Sequence, residues 1–486
     1  MNYRIDLAVL SEQKQNCRFG LTVHNLSDSD IKAWSLHFAF DRFILPDSLS
    51  QGALTQVGSY CTYTPNDCEL KANNHCYFEF SIQSAPFRFI SDGLNDAFIQ
   101  TIINDEAQIL PVAISPIVLA SPYRERTEIP QVDNAPLALI PQPNSVTTQN
   151  GVFSLTPNTV LAITSALASD GGEWLKEELR THFELSLPEQ EVGAITFRTN
   201  PTLDDAEYKL TVTPEAITAE AGSQSGFIYA AATLLQLIEQ QEVESFSVPC
   251  CKIVDKPRFK YRGMMLDCAR HFHSLEDVKR LINQLTLYKF NVFHWHLTDD
   301  EGWRIEIKQL PQLTDIGAWR GLDEALEPQY THLAQRYGGY YTQQEIREVI
   351  DYADKRGITV VPEIDIPGHC RAAIKSLPEM LVEQEDTTAY KSIQHYTDNV
   401  LNPGLKGTYE FLDIVIEEVA ALFPSKLIHM GADEVPPGVW SNSPAAQAVM
   451  EEHGYQDSKE LQGHLFRSAE NKLKQLGKKM VGWEEA

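Results

Sequence analysis

From Pro257 onward, strand-like and helical runs alternate, with five strand-like runs in all. YRGMMLDCA (261–269) precedes LEDVKRLINQLTLYK (275–289), and FNVFHWHL (290–297) is followed, after a long loop, by TQQEIREVIDYADKRG (342–357). ITVVPEIDIP (358–367) precedes another helical stretch. FLDIVIEEVAALF (411–423) leads into LIHMGADEV (427–435), and ELQGHLFRSAENKLKQLG (460–477) leads into KKMVGW (478–483). This alternation predicts parallel β/α units, and their repetition predicts a barrel.

In such a barrel the reactive groups stand at the C-terminal ends of the strands. Those ends are dense in polar and aromatic residues here: Asp267, Arg270 and His271; His294, Trp295, His296, Asp299, Asp300 and Trp303; Glu363, Asp365 and His369; His429, Asp433 and Glu434; then Trp483, Glu484 and Glu485. Five such ends in phase predict one pocket lined with carboxylates, histidines and tryptophans.

A chain of 486 residues has room for about three domains. Residues 1–125 hold short β-branched or aromatic runs such as RFGLTVHN and CYFEFSI, broken by turn formers, which predicts a β-sandwich. Its Trp34, Phe38 and Phe40 read as inward core residues. Pro122, Pro130, Pro136, Pro141 and Pro143 mark a linker, placed at 126–143. Residues 144–256 mix strands with two helices. One is EWLKEELRTHF, which puts Trp174, Leu175, Leu179 and Phe183 on one face, so a small α+β domain is expected. The barrel domain takes 257–486.

The charge balance is 40 − 67 = −27. That disfavours nucleic acid and anionic membrane as partners. No apolar run reaches the roughly 18 residues a membrane helix needs. The N-terminus lacks the pattern of a secretory signal, so the expectation is cytoplasmic, or periplasmic or secreted if the N-terminus was trimmed. Eight irregularly spaced cysteines without C-x-x-C read as mostly free thiols, with one bridge conceivable among Cys61, Cys68 and Cys76.

Three chemistries compete for the pocket. His294 and His296, at i and i+2 on one strand face, suit a shared metal, but HExxH is absent. Acyl transfer lacks G-x-S-x-G. Glycoside cleavage needs an acid for the leaving oxygen, a second group at the anomeric carbon, and aromatics to hold the ring. IHMGADEV supplies adjacent carboxylates where strand becomes loop. If the chain bends there, both can face the pocket at different angles, with the nucleophile coming from elsewhere. A carboxylate neighbour is expected to raise the pKa of the acid.

The stretches YRGMMLDCARHF (261–272), FNVFHWHLTDDEGWRIEI (290–307), VPEIDIPGH (361–369), IHMGADEV (428–435) and VGWEE (481–485) jointly resemble the β-N-acetylhexosaminidases of glycoside hydrolase family 20, in family order. The α+β domain resembles the family's usual companion, and residues 1–125 resemble the carbohydrate-binding-type sandwich of bacterial chitobiases. The resemblance implies a TIM barrel that removes terminal non-reducing β-linked N-acetylhexosamine from chitooligosaccharides or related glycans. The substrate's own 2-acetamido oxygen would be the nucleophile, and no cofactor or metal is implied.

By that resemblance Glu434 is the general acid/base, and Asp433 orients the acetamido group. Arg262 grips the 3- and 4-hydroxyls, and Asp299 belongs to the substrate pocket. Asp365 and His369 support the acid/base, with His296 in a supporting place, and Trp483 is one wall of a tryptophan box. Five of the eight strands of a barrel are counted, so the chain is expected to be a fragment whose continuation carries further pocket residues. The readings from other classes are a non-catalytic carbohydrate-binding protein and a metal-dependent hydrolase using His294 and His296. Oligomeric state and the choice between GlcNAc and GalNAc stay open.

Overall fold

The computed structural model describes residues 1–66, 69–103, 106–120, 137–242 and 245–485. The N-terminal region is two sheets over one core. One is four-stranded and built on the antiparallel pair Tyr3–Gln13 and Asn16–Asn25, and the other is five-stranded and centred on Ser35–Ala39. Alternation along the first strand turns Tyr3, Ile5, Leu7 and Val9 inward. Trp34, Phe38 and Phe40 are buried in the same core, as their alternation predicts.

The α+β region has a seven-stranded sheet, with helices Ser169–Phe183 and Gln224–Leu237 covering it. Trp174, Leu175 and Leu179 are buried, while Phe183 packs at the edge of the core. Much of the expected linker lies outside the described residues. Its last part is not a free linker: Leu139 is buried in the α+β core, and the Gln236 amide bonds both the N–H and the carbonyl of Ile140. The apolar side chain and the paired backbone outweigh the proline composition there. Among the described residues Cys17, Cys61, Cys250, Cys251, Cys268 and Cys370 are free thiols, and Cys68 lies outside the described residues.

The third region is a parallel sheet of five strands in chain order: β1 (Gly263–Asp267), β2 (Val292–Asp299), β3 (Thr359–Ile366), β4 (Leu427–Gly431) and β5 (Lys479–Val481). The connecting helices are α1 (Leu275–Leu287), α2 (Gln343–Asp354), α3 (Lys406–Leu422) and α4 (Ser458–Gln475). Three of the four starts are fixed by side-chain caps. Ser274 caps α1, Thr342 and Glu345 form a capping box on α2, and Asp457 caps α4. Val278, Ile282 and Leu285 of α1 and Ile346, Val349 and Ala353 of α2 face the sheet core, as the helical spacing predicts.

Every residue of β2 is buried, the signature of a parallel strand covered on both faces. On β1, by contrast, Met264 and Met265 are 44% and 41% exposed. Among the described residues β1 pairs only with β2 and β5 only with β4, so the sheet is an open arc. No described helix is long and apolar enough to cross a membrane.

Candidate active site

The end of β2 turns sharply, because Thr298 and Asp299 pair antiparallel with Gly302 and Trp303. The turn buries Asp299, Asp300 and Glu301 over the strand end. A fully buried arginine, Arg304, holds the neighbouring loop. Its guanidinium donates to the carbonyls of Cys268 (3.0 Å), Ala269 (2.6 Å), Ala318 (2.6 Å) and Gly339 (3.1 Å). Burial without a carboxylate partner lowers its pKa to about 10. Arg320 Nη1 donates to the carbonyl of Arg270 at 2.7 Å. Together these two arginines fix the loop that carries Arg270.

Arg270 is the cationic centre of the site. Its Nη1 lies 2.7 Å from Asp299 Oδ2 and 3.0 Å from Asp267 Oδ2, and its Nε lies 3.3 Å from Glu301 Oε2. Asp299 also meets His296 Nε2 at 2.8 Å and His369 Nδ1 at 3.0 Å. His369 Nε2 is then 3.4 Å from Glu434 Oε2. A continuous polar chain therefore runs from Arg270 through Asp299 and His369 to Glu434.

The end of β4 explains how adjacent carboxylates share one pocket. In a strand they would face opposite ways. Here Gly431, Ala432 and Glu434 have φ of +63°, +82° and +52°, which breaks the strand and turns the chain. Only glycine fits at 431, since a Cβ there would lie 1.5 Å from Asp365 Oδ1. After the bend, one polar atom each from His369, Asp433 and Glu434 lie within 4.8 Å of one another. Gln394 Nε2 donates to Glu434 Oε2 at 2.9 Å. Asp433 Oδ1 is buried without a hydrogen-bond partner among the described residues.

The site separates its carboxylates electrostatically. Burial raises the pKa of Asp433. Glu434 moves the other way: His369, whose Nε2 stands 3.4 Å from Oε2 outside hydrogen-bond alignment, lowers it against burial, with help from Gln394. The expectation of a raised acid is thus reversed here, because His369 and Gln394 stabilise the charged carboxylate more than burial opposes it. Burial opposes charge on Asp299, yet Arg270 and His369 hold it well below the usual carboxylate range. Burial likewise opposes protonation of His369, and Asp299, Asp300 and Glu434 outweigh it, so its pKa is raised.

His294 and His296 do share a strand face, but they converge on a carboxylate. His296 Nδ1 lies 2.7 Å from Glu363 Oε2, and His294 Nε2 lies 2.8 Å from the same oxygen, outside hydrogen-bond alignment. On the other oxygen, His429 Nδ1 is at 2.9 Å and Trp483 Nε1 donates at 2.9 Å. Both histidines of the pair thus meet one buried carboxylate, Glu363. Trp483 lies over this cluster, its ring 4.8 Å from His429 and 5.7 Å from His294, and it stays 37% exposed.

Two sequence assignments need correction. Arg262 precedes β1, at the opposite end of the strand from Asp267. Its donors are spent on the carbonyls of Lys289 (2.8 Å) and Phe259 (2.7 Å) and on the Tyr229 hydroxyl (2.5 Å), where it joins the barrel to the α+β domain. Arg270, eight residues on, occupies the strand-end position assigned to it. Asp365 is not the partner of His369 either. Its Oδ1 accepts from Ala432 N–H at 3.3 Å, and Asp299 holds the histidine. Sequence reasoning also missed Gln394, Arg304 and Glu301. The rule that strand ends carry the site favours Arg270 over Arg262, whereas Gln394 lies in a loop with no motif.

Residues 259–486 match the catalytic domain of glycosyl hydrolase family 20, and residues 137–256 match domain 2 of that family. A beta-hexosaminidase of Vibrio furnissii is 62% identical over 492 residues, which cover 100% of this chain and 80% of the relative. A beta-hexosaminidase of Porphyromonas gingivalis is 34% identical over 384 residues, 76% of this chain and 48% of that protein. The crystal structure of a GH20 exo beta-N-acetylglucosaminidase from Vibrio harveyi, in complex with N-acetylglucosamine, superposes with a TM-score of 0.96 at 61% identity, covering 100% of this chain and 76% of that one. The chain is multidomain with a catalytic region of the TIM-barrel class, and it belongs to glycosyl hydrolase family 20.

Proposed function

We propose that the protein is a β-N-acetylhexosaminidase that removes terminal non-reducing N-acetylhexosamine by substrate-assisted, retaining catalysis. The observation that carries the reading is the chain from buried Asp299 and His369 to Glu434, ending beside Asp433. Glu434, partly exposed, donates the proton to the leaving oxygen and later takes one from water. His369, held charged by Asp299, stands beside it and stabilises the carboxylate left after proton transfer. The unpartnered Oδ1 of Asp433 accepts the acetamido N–H, turns the acetamido oxygen toward the anomeric carbon and balances the positive charge of the oxazolinium ion.

Arg270 offers a planar fork for two sugar hydroxyls. Trp483 supplies an apolar face to the acetamido methyl. The relatives named beta-hexosaminidase support the same reading. Five strands leave the pocket open beside Trp483, and a closed barrel takes eight, so the reading includes further strands that complete this wall in the working enzyme.

The test is incubation of the full-length protein with chitotriose. Release of single β-configured GlcNAc units, unaffected by chelator and inhibited by a thiazoline analogue of the cyclised sugar, is expected. Binding without turnover would favour the carbohydrate-binding alternative. A covalent sugar on any carboxylate would exclude the acetamido nucleophile.

A further inference from the structure

The N-terminal sandwich touches the site. One contact lies in the loop after β2. Gln329, 1% exposed, accepts from both the backbone N–H (2.7 Å) and the hydroxyl (2.9 Å) of Ser59, and donates to the carbonyl of Val57 at 2.9 Å. The next residue, Tyr330, gives its N–H to the Ser59 hydroxyl at 2.8 Å. The Tyr330 hydroxyl donates to Glu301 Oε1 at 2.8 Å, and Tyr396 donates to the same oxygen at 3.0 Å. The other oxygen of Glu301 faces Arg270.

A second contact lies in the loop after β3. Phe43 of the sandwich meets His395, with ring centres 4.8 Å apart, and the Lys391 ammonium lies 3.7 Å from the Phe43 ring centre. Between them, Gln394 reaches Glu434. Tyr330, His332 and His395 all hold positive φ, of +60°, +61° and +72°. Such backbone states persist only where surrounding contacts over-determine them.

We propose that the sandwich is a positioning part of the glycosidase site: through Ser59 it fixes the loop that sets Arg270, and through Phe43 the loop that sets Glu434. This rests on the functional reading above. It also changes the role of a domain whose sequence suggests a sugar-binding module. Ser59 and Phe43 are positioning residues, since neither touches the reacting atoms.

The test uses Ser59→Ala, Phe43→Ala, Gln394→Ala and the Phe43/Gln394 double variant of the full-length protein, assayed on chitobiose and on a 4-nitrophenyl N-acetylglucosaminide. Ser59→Ala should raise KM by roughly 10-fold, because Arg270 is released. Phe43→Ala should slow chitobiose roughly 10-fold more than the nitrophenyl substrate, which needs less acid assistance. The double variant should be no worse than Gln394→Ala alone. Simple loss of folded enzyme lowers both rates alike and leaves KM untouched. That result, or additive losses in the double variant, would overturn the proposal while the wild type stays active. A wild type inactive on both substrates would overturn the functional reading, and this inference with it.

Discussion

Asp299 Oδ1 and His369 Nδ1 lie 3.0 Å apart with both side chains buried. The contact fixes which face of the imidazole meets the pocket and leaves Nε2 for Glu434. A carboxylate that orients a histidine and keeps it charged determines what the next group in line can do. Here that next group is the acid/base, so its proton affinity is set from behind.

Removing His369 should therefore move the pH profile upward. Its imidazole, 3.4 Å away, is the main influence lowering Glu434. In His369→Asn the Glu434 pKa rises, the acid keeps its proton to higher pH, and the alkaline limb of kcat/KM shifts up. The maximal rate should still fall, by roughly 10- to 100-fold, because positioning is lost. A limb that stays in place or shifts down would show that His369 does not govern Glu434.

The two arginines should separate cleanly. Arg270→Lys loses the planar fork and should lower kcat/KM about 100-fold, less for 3- and 4-deoxy sugars. Arg262→Lys should leave kcat/KM within about 2-fold, as expected for a change away from the reacting atoms. It should lower the thermal midpoint, because Arg262 joins two domains. Steady-state kinetics and thermal unfolding of both variants decide the assignment.

Gly431→Ala should inactivate the site through backbone geometry. The added Cβ meets Asp365 at a position that already needs positive φ. Re-aiming Asp433 and Glu434 by even about 1 Å should cost about 100-fold in kcat. Turnover per folded molecule, with folding checked by circular dichroism, measures it.

Much of this was legible in the residues. The strand–helix alternation after Pro257 reports parallel pairing, because burial on both faces leaves apolar runs such as those of β2 and β3. The bend after Gly431 was legible too, because two carboxylates at a strand end gain a common target only if the strand breaks. Arg262 misled because it flanks the same short strand as Arg270, and only the direction of the strand tells the two ends apart. Asp365 misled because its spacing to His369 resembles a pair, while Asp299, 70 residues away, supplies the contact. The Ser59–Gln329 contact spans 270 residues and two domains, and no local pattern encodes it.

The most direct test is Glu434→Gln in the full-length protein, measured on chitobiose and on the 4-nitrophenyl glycoside. The amide keeps shape but cannot donate an acidic proton. Loss on chitobiose should reach about 10²–10⁴-fold, with a much smaller loss in the glycosylation step for nitrophenolate, which leaves without help. Equal losses on both substrates, or wild-type rates on chitobiose, would contradict Glu434 as the general acid.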